Sequence, residues 1–406
     1  MRLSPLRVLR PTPELAGRVA SPPYDVVTAE EAARLAAGNP LSFLRVVRSE
    51  IDLPPGTDPH DERVYTRARE NLDRLVDDGA LVREDRPALY VYRLVLDGRA
   101  QVGVAGGVHV DDYERGVIRK HETTRPDKED DRTRHILTVR AHAEPVLLMH
   151  RDREDIARLA RAETARPPLL DLVAPDGVRH TLWRVEASGA WVTAFGDLPE
   201  AYVADGHHRS ASAWRAAREL PGSVTGAAPA QDWFPAVLFP ASELRILSYH
   251  RVVRDLAGRS PAAVLEALGR VGRLSPGTGE ITSGPGVFGF YLDRRWHQLE
   301  LDPASVDAAD PRRALDVSLL AERVLGPVLG LGDPRTDGRL DFVGGSRGAR
   351  ELQRRVDAGE AALGITLHPT TIAQLMAVVD AGGIMPPKST WFEPKLASGL
   401  LVHRLD

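Results

Sequence analysis

Three times along this 406-residue chain, strand-like runs meet at a two-residue polar turn. Ala88 to Leu96 and Gln101 to Val110 flank Asp97-Gly98, Val287 to Leu292 and Trp296 to Leu301 flank Asp293-Arg294, and Asp176-Gly177 marks a third such point. So short a connection takes the backbone through left-handed conformations that Asp and Gly adopt at little cost, and it joins antiparallel neighbours. Hairpins are thus part of the fold wherever else the chain goes. Extended segments are also expected at Phe234 to Phe239 and Ile246 to Val253, and the apolar Ala201 to Ala204 reads as a further strand.

Helices are interleaved without a regular strand–helix–strand alternation. Thr28 and Glu31 have capping-box spacing and predict a short helix ending near Gly38. Val64, Ala68, Leu72, Leu75 and Val76 recur at helical spacing until Asp78-Gly79 stops the run. Leu315, Leu319, Leu320, Val324 and Val328 predict one helix over 312–328, and two more are expected over 347–356 and 370–379. This order predicts an α+β protein with a mixed sheet. The length suggests two or three packed segments, placed at 1–85, 86–255 and 256–406, the last expected to complete the site.

Composition narrows the chemistry. With no cysteine there is no disulfide framework, thiolate metal site or cysteine nucleophile. No apolar run approaches the ~18 residues of a membrane span, so a cytoplasmic protein is expected. With 53 basic against 57 acidic residues, the net charge of -4 argues against a nucleic-acid partner. The excess of arginine over lysine carries no weight in this reading, and oligomeric state is not legible.

The strongest chemical signal follows the strand 201–204. Asp205-Gly206 breaks it, and Ser210 to Ala217 is a good helix, so His207, His208 and Arg209 fall at a strand-to-helix junction. Unpaired amides and the positive end of the helix dipole make such a junction suited to an anion. Gly206 allows close approach, Arg209 offers a forked donor and the histidines offer donors or a proton relay. The competing reading is a polar helix cap with surface histidines. Adjacent histidines diverge, which disfavours a zinc pair.

Asp205 to Arg209 resembles the signature of the ParB and sulfiredoxin-like superfamily, in which a Gly-x-(His or Arg)-Arg element at a helix start holds nucleotide phosphates. Tyr24 to Val27, His121 to Lys128, Tyr202 to Arg209, Asp341 to Gly345 and Met385 to Lys395 together resemble a full-length bacterial and archaeal family of unknown function. Free serine kinases belong to the same superfamily. The resemblance implies a ParB/sulfiredoxin-like core over 86–255 and an L-serine kinase using pyrophosphate, ADP or ATP with Mg²⁺, the metal lying near Asp205. It implies Glu122 as the base that takes the hydroxyl proton, with Asp205 and His207 also catalytic.

Two further segments supply charge. The run 116–132 carries ten charged side chains and is read as a charged loop, in which His121, Thr124, Arg125, Lys128 and Arg132 are candidate phosphate contacts. Its plain alternative is a solvated face. Three prolines make 383–395 a shaped loop, with Lys388, Ser389 and Thr390 as candidate donors or, equally, Trp391 and Phe392 as a structural plug. Two other functions remain open at this point: an enzyme consuming phosphoserine, and a ParB-type nucleotide switch or DNA-binding protein.

Overall fold

The computed structural model describes residues 1–220, 229–281 and 284–405. The chain divides into two compact units, Met1–Leu244 with Pro394–Asp406, and Arg245–Glu393. The first takes in the expected segment 1–85 and most of 86–255, the second most of 256–406.

The first unit is built on a nine-stranded sheet: β1 (Leu3–Ser4), β2 (Leu89–Leu96), β3 (Arg99–His109), β4 (Ile118–Arg119), β5 (Val146–His150), β6 (Leu170–Val173), β7 (Arg179–Val185), β8 (Ala201–Asp205) and β9 (Trp233–Pro240). The order is β4-β8-β5-β9-β3-β2-β7-β6, with β1 beside β3. β8 runs parallel to β4 and β9 parallel to β5, while the other pairs are antiparallel, so the sheet is mixed and the protein is α+β. The β2–β3 hairpin closes through Asp97 (φ 52°) and Gly98 (φ 75°), as the turn chemistry requires. β6 and β7 also form a hairpin, but its turn is longer: the Ala174 amide bonds Val178 O across Pro175-Asp176-Gly177, and only Gly177 takes positive φ (85°).

Four helices matter for the site. α1 (Ala29–Ala36) has the Thr28/Glu31 capping box, and α2 (Glu62–Asp77) buries Val64, Ala68, Leu72 and Leu75. α3 (Pro126–Val139) corrects the expectation of a loop over 116–132: Ile118–Arg119 is a strand, and a helix starts at Pro126. Proline is pre-set for the first helical position, and Asp127 and Glu129 favour the same helix end electrostatically. α4 (His207–Glu219) follows β8.

The second unit carries a six-stranded antiparallel sheet, with strands β10 (Tyr249–Val253), β11 (Arg273–Pro276), β12 (Val287–Leu292), β13 (Arg295–Glu300), β14 (Leu340–Gly344) and β15 (Leu363–Leu367). They lie in the order β11-β13-β12-β15-β10-β14. The expected strand 246–253 splits, because Ile246–Leu247 pairs with Trp391–Phe392 before β10 begins. The expected helix over 312–328 is also divided. Asp316–Leu320 is α-helical, and Ala321–Leu325 widens so that the Gly326 amide bonds Ala321 O at 3.2 Å. Pro327 has no amide to add to the ladder, although Gly326 keeps helical backbone at φ -71° and ψ -67°. The five periodic residues are buried all the same. No helix among the described residues is long and apolar enough to cross a membrane.

The first unit buries histidines with a testable consequence. Burial lowers His121 and His135 to about 4 and His142 to about 3. A histidine whose folded pKa lies below the unfolded value of ~6.5 gains its proton on unfolding, so its stabilising share is present at neutral pH and drains as pH falls from ~6.5 toward ~4. The thermal midpoint is expected to drop by several degrees between pH 7 and pH 5; a flat profile would show these rings charged or hydrated in the fold.

Candidate functional site

β8 delivers Asp205 to the site. Ala201, Tyr202, Val203 and Ala204 are buried and apolar, as an inner strand demands. Val203 opposes Leu148 and Asp205 opposes Leu147, so the register with β5 shifts just before the aspartate. Such a bulge re-aims the side chains around it. Gly206 then turns at φ 99° and ψ 34°, and α4 starts at His207, three residues earlier than the sequence suggested. His207, His208 and Arg209 form the first helical turn, where amides lack partners within the helix.

Gly206 has no substitute at this turn. A Cβ there would lie 3.0 Å from Arg209 Nε, in a backbone conformation that side chains rarely adopt. Gly206→Ala is expected to cost ~1–2 kcal/mol, read by chemical denaturation. Wild-type stability in that variant would mean that the turn relaxes freely.

Asp205 sits between two cations. Lys395 Nζ is 3.3 Å from Oδ1, and Arg209 Nη2 is 2.8 Å from Oδ2. Burial alone would raise its pKa, but these two cations hold it well below the usual carboxylate range. Arg209 Nη1 donates to Pro145 O at 2.5 Å, the Asp25 carboxylate lies 3.8 Å from Nη2, and Nε is buried without a partner among the described residues. The fork that the sequence offered to a phosphate is thus engaged with Pro145 and Asp205. Nearby, the buried Glu144 accepts from the Tyr24 amide at 3.0 Å and the Ser398 hydroxyl at 2.7 Å.

The 121–132 segment approaches the same helix start. The His121 amide donates to His207 Nε2 at 3.4 Å, the two rings meet edge to face at 4.3 Å, and Glu122 Oε2 lies 3.8 Å from His207 Nδ1. Burial, and then His121, push the His207 pKa well down, so the ring is neutral. Since Nε2 accepts, the ring proton belongs on Nδ1, facing the Glu122 carboxylate. His121, Glu122 and His207 also have ligand atoms within 4.8 Å of one another. A metal at Nδ1 would force the proton onto Nε2, against the His121 amide, so this tautomer aims Nδ1–H toward Glu122, 3.8 Å away, rather than a lone pair toward a metal.

The other candidates divide. The Arg125 amide donates to His208 Nε2 at 3.2 Å, while its guanidinium reaches Asp127 in exposed positions. The Thr124 hydroxyl is held by Glu129, and Lys128 is partly exposed on α3. Arg132 pairs with Asp131 at 2.8 Å and lies over the Tyr24 ring at 4.3 Å. Lys388, Ser389 and Thr390 belong to the second unit, where the Ser389 hydroxyl bonds Pro386 O and its carbonyl accepts from Thr370.

Sequence reasoning missed Lys395 and Asp25 as partners of this site, although both lie in segments it had singled out. A signal was present: only four of the 53 basic residues are lysines, at 120, 128, 388 and 395, all inside the charged run or the C-terminal motif. A chain that uses arginine almost everywhere keeps a compact ammonium at just these positions.

Solved structures similar to this one include SbnI with a C-terminal truncation from Staphylococcus aureus, at 14% identity and a TM-score of 0.38, over 74% of this chain and 87% of that one. A free serine kinase in complex with AMP is similar at 12% identity and a TM-score of 0.34, over 73% and 92%. A conserved hypothetical protein from Pyrococcus furiosus is similar at 13% identity and a TM-score of 0.32, over 73% and 95%. No curated protein matches the sequence. The profile of one family does match, over residues 3–318, and the chain therefore belongs to DUF1015, a family described as proteins of unknown function.

Proposed function

We propose that this protein is a small-molecule phosphotransferase that forms O-phospho-L-serine from L-serine, with pyrophosphate or a nucleotide as donor. The observation that carries the reading is the pairing of Glu122 with neutral His207 at the start of α4, beside the cation-bracketed Asp205. The first-turn amides of α4 receive the donor phosphate. Glu122, its side chain 39% exposed, takes the hydroxyl proton as the serine oxygen bonds to phosphorus and the bridging bond of the donor breaks. His207 faces Glu122 with its Nδ1 proton, 3.8 Å away, and would close on the carboxylate when substrate binds. Asp205 is already engaged by two cations, which makes it a poor ligand for Mg²⁺; magnesium would arrive with the phosphate donor. Serine as acceptor, and a ParB/sulfiredoxin-like core over 86–255, rest on the resemblance of Asp205 to Arg209 and the flanking motifs to that superfamily.

The test is a matrix of hydroxyl-bearing amino acids against pyrophosphate, ADP and ATP, with magnesium, read by mass spectrometry of phosphorylated products. Phosphoserine is expected with one donor. Turnover of phosphoserine in the reverse assay alone would make the enzyme a consumer, and no product with any pair would end the reading.

A further inference from the structure

Two arginines are more than nine-tenths buried among the described residues, and they differ in one respect. Arg209 has carboxylates of Asp205 and Asp25 within ion-pair distance; Arg251, on β10 of the second unit, has no acidic side chain within that distance among the described residues. Its Nη1 donates to Tyr249 O and its Nη2 to Lys388 O at 3.0 Å, and its guanidinium lies over the Phe342 ring at 4.7 Å. Pairing along β10 opposes Arg251 to Phe342 and Ile365, so it projects from the sheet face that carries the apolar core of this unit. Burial lowers its pKa to about 10, so it still carries its charge at neutral pH.

A desolvated charge normally meets an opposite one, because backbone carbonyls and a ring face offset only part of the cost. We propose that Arg251 anchors an anion-binding site in the second unit, which takes a small oxyanion, phosphate or carboxylate, at the rim formed by Tyr249, Phe342 and Trp391. One ligand oxygen replaces the Lys388 carbonyl on Nη2. Lys388 supports this exchange in two ways. Its backbone is held at φ 55°, a conformation non-glycine residues adopt sparingly, and its ammonium lies over the Tyr249 ring at 5.4 Å. The aromatic rim, with Tyr249 edge-on to Trp391 at 5.3 Å, lowers the local dielectric and strengthens the attraction. The site lies within the second unit and does not depend on the phosphotransfer reading.

Trp391 provides the reporter. In the full-length protein at constant ionic strength, titration with inorganic phosphate, pyrophosphate and acetate is expected to give a saturable fluorescence change with at least one anion, absent in Trp391→Phe. Phosphate and acetate separate the two oxyanion classes. Arg251→Lys, which keeps the charge and loses the fork, is expected to weaken binding at least tenfold. Arg251→Gln should abolish it where the variant folds, as judged by circular dichroism. Asp205→Asn, in the first unit, should leave this signal unchanged while altering any turnover, which separates failure here from failure of the proposed activity. No Trp391-dependent response to any anion, or equal affinity in Arg251→Lys, overturns the site and leaves Arg251 a clasp for the Lys388 loop.

Discussion

Glu122→Gln is expected to lower kcat by roughly 10²- to 10⁴-fold while donor affinity stays within about twofold. The substitution keeps the size of the side chain and an oxygen facing His207 Nδ1, so the local geometry should survive. What disappears is the capacity to take the serine hydroxyl proton, an interaction made as the transition state forms. Calorimetry with the donor, set against single-turnover kinetics with serine, separates the two effects. Near-normal turnover would remove Glu122 from the role of base. Asp205 is a weak replacement, since Lys395 and Arg209 keep its carboxylate acidic. A pH–rate profile would add a second readout: an acidic limb that survives Glu122→Gln cannot belong to Glu122.

The largest loss of stability should come from Arg209→Ala. Removing the guanidinium leaves the Pro145 carbonyl without its donor and takes one of two cations from Asp205. It also takes from Asp25 and the buried Glu144 a cation that offsets their mutual repulsion, leaving Glu144 with Arg132. Breaking one side of a buried ion pair costs ~3–5 kcal/mol, and the thermal midpoint should fall on the order of 10 °C. Arg209→Lys should recover little, because a single ammonium cannot reach both Pro145 O and Asp205 with the planar fork it replaces. Scanning calorimetry measures this directly. A variant that unfolds like wild type yet binds donor weakly would return Arg209 to the role of a phosphate clamp.

Much of the fold was legible because its determinants are local. Asp97-Gly98 and Asp293-Arg294 specify their turns from within, Thr28 and Glu31 cap their own helix, and Ala201 to Ala204 are apolar enough for an inner strand whatever their neighbours. The start of α4 was misplaced by three residues because His207 and His208 read as polar junction residues, whereas Gly206 already completes the turn. Charge density hid the helix beginning at Pro126, and apolar periodicity hid the widened turn at Ala321–Leu325. The cations on Asp205 depend on segments remote in sequence, so spacing could point to Lys395 only through the scarcity of lysine. Arg251 offers no sequence signal at all, since what sets it apart is the absence of a nearby carboxylate in three dimensions among the described residues.

The first unit is discontinuous: it runs to Leu244, leaves for the second unit, and returns at Pro394. Asp205 therefore emerges from the ribosome some time before Lys395, with the whole of the second unit synthesised in between. During that interval the nascent first unit must carry its central aspartate on Arg209 alone, and the pairing of His403–Arg404 with Ala141–His142 cannot yet form. A chain released early would hold all nine strands of the main sheet but lack Lys395 and the His403–Arg404 strand, so premature termination in the second unit also weakens the first, a vulnerability that a simple tandem arrangement would avoid.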